Sequence, residues 1–281
     1  MIVRAPASTA NLGPGFDCAA CALDFWNELE VVDGEGVEIE GEGADELPRD
    51  LDHLAVRAFA LVAPVEGRRF LFLNRVPLAR GLGSSAAAIA VGLVAGALDA
   101  DRAIDPEELL ALGLELEGHA DNLAAALAGG ACLTWDGRIR RVADTLPLDP
   151  VAVVPEARVD TAAARDALPA SVSHGDAAFS AGRAALLGAG LAAGDPELLG
   201  AAFADRLHEP YRAPAAPLLE EIRSALPEDA AGATLSGSGP TVIVWARAGR
   251  AEPCAGELRS RFPDERVLPV RIAATGAGIV L

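Results

Sequence analysis

Three glycine-rich stretches hold the residues with which this chain could do chemistry. The stretch Pro77-Leu78-Ala79-Arg80-Gly81-Leu82-Gly83-Ser84-Ser85-Ala86-Ala87 follows a strand-like run and opens an Ala-rich helix. Gly81 and Gly83 permit tight or positive-φ backbone, so several N–H groups can converge on one anion. Ser84 can cap the helix, whose free N–H groups and positive dipole end favour phosphate. The hydroxyls of Ser84 and Ser85 suit a phosphate or a magnesium ion. The competing reading is a glycine turn ahead of a buried helix. A dinucleotide-binding turn fits less well, because no third Gly stands at the required spacing.

The stretch Pro6-Ala7-Ser8-Thr9-Ala10-Asn11-Leu12-Gly13-Pro14-Gly15-Phe16-Asp17 combines small polar residues with an amide and a carboxylate. Asp17 could pair with an ammonium group and Asn11 could orient a hydroxyl. An ordinary Asx-rich turn is the alternative. In Gly232-Ala233-Thr234-Leu235-Ser236-Gly237-Ser238-Gly239-Pro240-Thr241, a loop between two strands allows close backbone approach to a ligand, or serves simply as a hairpin connection.

Composition removes several functions. None of the 23 basic residues is lysine, so Walker-type phosphate binding and Schiff-base chemistry are excluded. Anionic groups must be held by Arg, backbone N–H groups or a metal ion. A net charge of −18 argues against nucleic acid as a partner. Cys18 and Cys21 form one CxxC without a second pair or nearby His, so the four cysteines read as reduced, buried thiols. No apolar run is long enough to span a bilayer and no signal peptide is recognisable at Met1, so no membrane partner and a cytoplasmic location are expected.

Positioning these stretches requires strands near 1–5, 22–32, 36–41, 69–74 and 131–135, with helices near 53–63, 84–98, 106–116 and 121–128. The run 147–150 breaks the pattern, dividing the chain into domains at 1–150 and 151–281. The second half predicts strands near 151–155, 233–235, 241–246 and 267–272, and helices near 175–193, 195–207, 215–226 and 252–262. Mixed elements in both halves imply two α+β domains.

Together and in this order, the three stretches resemble the signature motifs of the GHMP kinases, spanning residues 6 to 241. Within that family they are most similar to the homoserine-phosphorylating members. Glu117-Gly118-His119-Ala120-Asp121-Asn122 resembles their Glu-Gly-His-Pro-Asp-Asn segment, with Ala120 replacing Pro. The runs 164–169 and 205–212 resemble their C-terminal markers.

The resemblance implies a two-domain α+β fold: an N-terminal ATP-binding domain like the second domain of ribosomal protein S five, and a ferredoxin-like C-terminal domain. It implies transfer of the γ-phosphoryl of MgATP to the side-chain hydroxyl of L-homoserine, a step of threonine biosynthesis. Another GHMP acceptor (mevalonate, shikimate or a sugar) and a non-catalytic nucleotide-binding relative are the alternatives. By resemblance, Pro77, Arg80, Gly81, Leu82, Gly83, Ser84, Ser85, Ala86, Ser236, Gly237, Ser238 and Gly239 bind ATP. Asp17 takes the substrate ammonium and Arg165 and Arg212 its carboxylate, while Asn11 and His119 position it.

Asp121, with Asn122 beside it, stands where several family members carry a catalytic base; capping of the following helix is an equal reading for Asp121. Ser84, Ser85 and one of Glu115 and Glu117 would hold magnesium, since an i, i+2 pair on one helix diverges. His53 stands where relatives often carry Asn near adenine. Arg183 reads as an exposed helix charge rather than a ligand. A homodimer is an expectation of the family.

Overall fold

The computed structural model describes residues 1–280. β1 (Ile2–Asn11) and β2 (Gly15–Asp33) form one long antiparallel hairpin. β3 (Gly36–Gly41), α1 (Leu54–Ala60) and β4 (Arg68–Asn74) follow, with β4 antiparallel to β2 and parallel to β3. Then come α2 (Ser84–Asp99), α3 (Pro106–Gly113), α4 (Ala120–Ala128) and the hairpin of β5 (Ala131–Trp135) with β6 (Arg138–Ala143), β5 pairing with β2.

The second sheet opens with β7 (Leu148–Val154). A helical excursion follows through α5 (Thr161–Asp166), α6 (His174–Ala193), α7 (Pro196–Ala202), α8 (Glu209–Arg212) and α9 (Leu218–Ser224). β8 (Ala230–Leu235), β9 (Val242–Arg247), α10 (Ala251–Arg261) and β10 (Arg266–Pro269) complete it. The antiparallel order β10-β7-β9-β8 is the ferredoxin-like arrangement. The last strand, β11 (Gly278–Ile279), crosses back to pair with β1. The end of the chain therefore joins the first sheet, where it covers an otherwise open edge, although the division at 150 assigns it to the second half.

Local patterns explain the main elements. In β4, Phe70, Phe72 and Asn74 are buried at every second position. Helix α2 is apolar all round because it is enclosed, packing on α1, β1, β2 and α4. Four elements escape the sequence reading: β6, whose three Arg side chains face outward, the six-residue α5, the single turn α8, and β11. The helix expected over 195–207 stops at Ala202. Beyond it the Asp205 carboxylate takes the N–H groups of Leu207, His208 and Glu209, which starts a separate turn of helix.

One apolar cluster lies between the first sheet and its helices, around Phe59, Phe70, Ile89 and Leu93. A second fills the other domain around Val153, Ile222 and Val244. A third joins the two domains, bringing Leu12, Leu23 and Leu82 against Leu187, Leu199 and Trp245. An apolar joint of this kind opposes hinge motion between the domains.

The packing of α2 on α1 yields a test. A Cβ added at Gly92 would overlap the Ala55 carbonyl oxygen. Alanine is favoured over glycine by about 1 kcal/mol in a helix interior, whereas overpacking costs about 1–3 kcal/mol. Gly92→Ala should therefore lower the urea midpoint. A raised midpoint would show that α1 yields freely.

Candidate active site

A cavity of about 640 Å³ lies between the domains, lined by residues of both. At one end the 80–86 loop meets the N-terminus of α2. Gly81 and Gly83 have φ of +78° and +66°, and added Cβ atoms would overlap the Ser236 carbonyl and Ser8 Oγ respectively. The backbone here demands glycine on both counts. Gly83, not Ser84, is the helix cap, and it offers no side-chain bond; Ser84 occupies the first helical position instead. The sequence expectation of a Ser84 cap is corrected, because the left-handed turn at Gly83 takes the cap position. Helical N–H groups at Ser84, Ser85 and Ala86 are left to the cavity these residues line, a setting that favours an anion.

Arg80 does not offer a free guanidinium. Its Nε and Nη2 donate to the carbonyls of Pro155 and Glu156 (2.9 and 3.0 Å), and Nη1 to that of Leu78 (3.2 Å). Pro77 and Leu82 are buried and shape the loop without lining the cavity. Ser236 Oγ donates to the Gly81 carbonyl (2.6 Å) and pairs with Thr9 Oγ1 (2.9 Å). Ser236 and Gly239 thus back the loop, whereas Gly237 and Ser238 line the cavity.

The two candidate metal carboxylates separate. Glu117 lines the cavity together with Ser84 and Ser85, its carboxyl held above the usual range by burial. Glu115 is exposed and borders a different depression with Leu51 and Leu116, so it cannot join Ser84 and Ser85. The helix α3 ends at Gly113, but the divergence expected of an i, i+2 pair holds.

Asp121 and Asn122 sit in the first turn of α4, which starts at Ala120. The cap position belongs to His119, so Asp121 is inside the helix and not its cap, which corrects the capping reading; its carboxylate accepts the Asn122 N–H (2.7 Å) and borders the cavity. Burial raises its pKa from 3.8 to about 6, against the hydrogen bond from Asn122. Asn122 Oδ1 accepts from Ser8 Oγ (2.7 Å), which ties α4 to β1. Ser8 lies within a stretch singled out by sequence, although no role was legible for it.

At this same end of the cavity, Arg165 Nη2 donates to Asp17 Oδ1 at 2.7 Å. Asp17 has φ of +57° and donates its N–H to Asn11 Oδ1 (3.1 Å), while Asn11 Nδ2 donates to the Gly237 carbonyl (3.0 Å). Asn11 thereby spends both ends of its amide on backbone. Arg212 is only 4% exposed; Nη1 donates to His208 Nδ1 and the Gly237 carbonyl, both 3.1 Å. Phe16 lies under both guanidiniums, with Cζ 5.5 Å (Arg165) and 5.3 Å (Arg212) from its ring. Arg165 Nε is buried without a hydrogen-bond partner, a donor suited to an incoming oxygen. His119 borders the cavity, its pKa lowered by burial and by Arg165.

At the far end, Leu47, Pro48, Leu54 and Phe72 form an apolar slot. His53 stacks on Phe72 (4.2 Å between centroids), and its Nδ1 accepts the Ala55 N–H (3.3 Å), capping α1. Burial lowers its pKa to about 4, so it is neutral, with its proton on Nε2. Arg158, Asp160 and Thr161 also line the cavity and were not legible, since nothing marked the 156–161 run in sequence. Arg183 lies outside, donating to the Ala201 carbonyl.

Comparison with known proteins identifies the family and the fold. The model for the GHMP kinases N-terminal domain matches residues 53–130 and that for the GHMP kinases C-terminal region matches 184–264, together more than half of the chain. A homoserine kinase of Streptomyces avermitilis is 44% identical, covering 90% of this chain and 88% of its own. One from Corynebacterium aurimucosum is 40% identical over 96% and 94%. The crystal structure of homoserine kinase from Cytophaga hutchinsonii has a TM-score of 0.87 at 27% identity, covering 100% and 97%. Mevalonate kinase of Methanococcus jannaschii, at 15% identity and a TM-score of 0.70 over 97% and 98%, shares the fold.

The environment of Asp121 sets a test with two readouts of opposite sign. A carboxyl whose folded pKa is raised contributes stability below its unfolded value near 3.8, and that contribution is lost as pH rises through about 6. Asp121→Asn should therefore stabilise the protein by roughly 1–3 kcal/mol at about pH 8 and by little at about pH 4. Its kcat should fall by about 10²-fold or more. Urea unfolding at both pH values and steady-state rates check this; equal stabilisation at both would show Asp121 is not a buried charge.

Proposed function

The chain belongs to the homoserine kinases of the GHMP family, and from that premise we infer that it transfers the γ-phosphoryl of ATP to the side-chain hydroxyl of L-homoserine, giving O-phospho-L-homoserine and ADP. The observation that carries this reading is the pairing of Asp17 with Arg165 beside Arg212, at the end of the cavity reached by the phosphate loop. A zwitterionic amino acid requires one anion and at least one cation at such a position. Asp17 takes the ammonium; Arg165 and the Nη2 of Arg212 take the carboxylate in forked geometry.

The apolar slot by Phe72 suits a purine and the 81–86 backbone suits the phosphates. Phosphoryl transfer relies chiefly on alignment and charge neutralisation. Without lysine, that neutralisation falls to the N–H groups of α2 and to a divalent cation. Glu117 with the Ser84 and Ser85 hydroxyls is an oxygen donor set of the kind a magnesium ion takes. Bound there, magnesium would offset charge on the phosphate oxygens.

The homoserine hydroxyl attacks phosphorus as the bond to the β-phosphate oxygen breaks. Its proton passes to the Asp121 carboxylate, which is ionised above about pH 6. His119, neutral and half-buried, orients the hydroxyl end.

Incubation with MgATP and separately L-homoserine, L-threonine, mevalonate, shikimate or galactose, following ADP, tests the reading. ADP should form with homoserine alone; turnover of mevalonate or galactose instead would overturn the acceptor assignment. Asp17→Ala should raise the homoserine KM by about 10- to 100-fold, the loss expected for a charge-assisted hydrogen bond, and leave the ATP KM within about two-fold. An equal rise in both would remove Asp17 from the acceptor site.

A further inference from the structure

Arg158 stands on the connection between β7 and α5, and Glu46 on the loop between β3 and α1. The guanidinium meets the carboxylate as a fork, Nη1 to Oε2 at 2.7 Å and Nη2 to Oε1 at 2.8 Å. Both residues line the main cavity and also a shallower depression beside it, so the pair forms part of the wall between them. It joins the two domains across the nucleotide end: Leu47 and Pro48 follow Glu46, and Asp160 and Thr161 follow Arg158.

Each side of this contact is independently held. Arg80 of the phosphate loop donates to the carbonyls of Pro155 and Glu156, and Val159 N–H donates to the Ala79 carbonyl (3.0 Å), so the phosphate loop sets the position of Arg158. Glu46 and Leu47 both donate their N–H groups to the Gly43 carbonyl in a turn. The apolar joint between the domains does not depend on the pair. The side chains are 48% and 42% exposed, so the contact is a weak one that adds little to stability. Its exposure and position fit a contact that parts and re-forms.

We propose that the Arg158–Glu46 pair is a clasp across the nucleotide end of the cavity, parting to admit ATP and release ADP and closing to retain and position the nucleotide between. The proposal rests on the ATP-dependent reading above. Because its two members lie in the loops beside the base slot and the phosphate loop, it acts on nucleotide residence and not on homoserine.

Stopped-flow release of a fluorescent ADP analogue from the full chain tests this. Glu46→Gln and Arg158→Gln should each speed release by about two- to five-fold, the range an exposed ion pair can supply. The homoserine KM should stay unchanged. The reciprocal exchange, Glu46→Arg with Arg158→Glu, should restore slow release. Single variants that release at the wild-type rate would overturn the clasp. Fast singles without rescue would also overturn it, by making Arg158 a direct nucleotide ligand. A wild-type chain that binds no ADP would instead defeat the ATP reading on which the clasp depends.

Discussion

A guanidinium as enclosed as that of Arg212 is tolerable only where hydrogen bonds replace its water, and much of the site is organised around meeting that requirement. His208 is the centre of the solution. Burial holds its pKa below the usual histidine range, so the ring is neutral. Nε2 donates to the Gly13 carbonyl (2.7 Å) and Nδ1 accepts from Arg212, a single tautomer that serves both contacts. Asp205 in turn accepts the N–H groups that begin α8. Through this chain of contacts the tip of the β1–β2 hairpin, the 236–239 loop and α8 have one relative placement. Asn11 adds a further bond to the Gly237 carbonyl. The result holds Asp17, Arg165 and Arg212 within one end of the cavity without relying on loop stiffness.

The Asp17–Arg165 pair has a second consequence. The two charges satisfy each other at 2.7 Å. An amino acid brings the same two charges in reverse, so its ammonium and carboxylate can each take the place of a protein group already present. A ligand with only one of them would part the pair while compensating only one of its two charges, and so forgoes one charge-assisted contact. In the proposed reading, selection for a zwitterion follows from this pairing. The phosphate end uses the opposite strategy. There the donors are backbone N–H groups made available by positive φ at Gly81 and Gly83, because the chain has no lysine and Arg80 is committed to carbonyls.

The two-domain α+β architecture and the phosphate loop were legible because glycine spacing and apolar runs are local signals. The placement of Asp17, Arg165 and Arg212 was legible only through resemblance, since they lie on a hairpin, a short helix and a single turn far apart in sequence. What stayed hidden depended on tertiary contacts. Nothing in the sequence of 195–208 shows that Asp205 will capture three N–H groups and interrupt a helix. The choice between Glu115 and Glu117 needed the walls of the two depressions they border to be known. Arg158 and Thr161 lie in a run without periodicity, and Ser8 shows its partner, Asn122, only once β1 and α4 are packed together.

Comparison of three acceptors that differ only in charge tests the central claim most directly: L-homoserine, 4-hydroxybutanoate, which lacks the ammonium, and 3-aminopropan-1-ol, which lacks the carboxylate. All three present the same terminal hydroxyl. With saturating MgATP, kcat/KM for both single-charge alcohols should fall at least about 100-fold below that for homoserine, corresponding to the loss of one charge-assisted contact and the exposure of its partner. A kcat/KM for either alcohol within a few-fold of the homoserine value would contradict the account, by showing that the paired charges do not select the substrate.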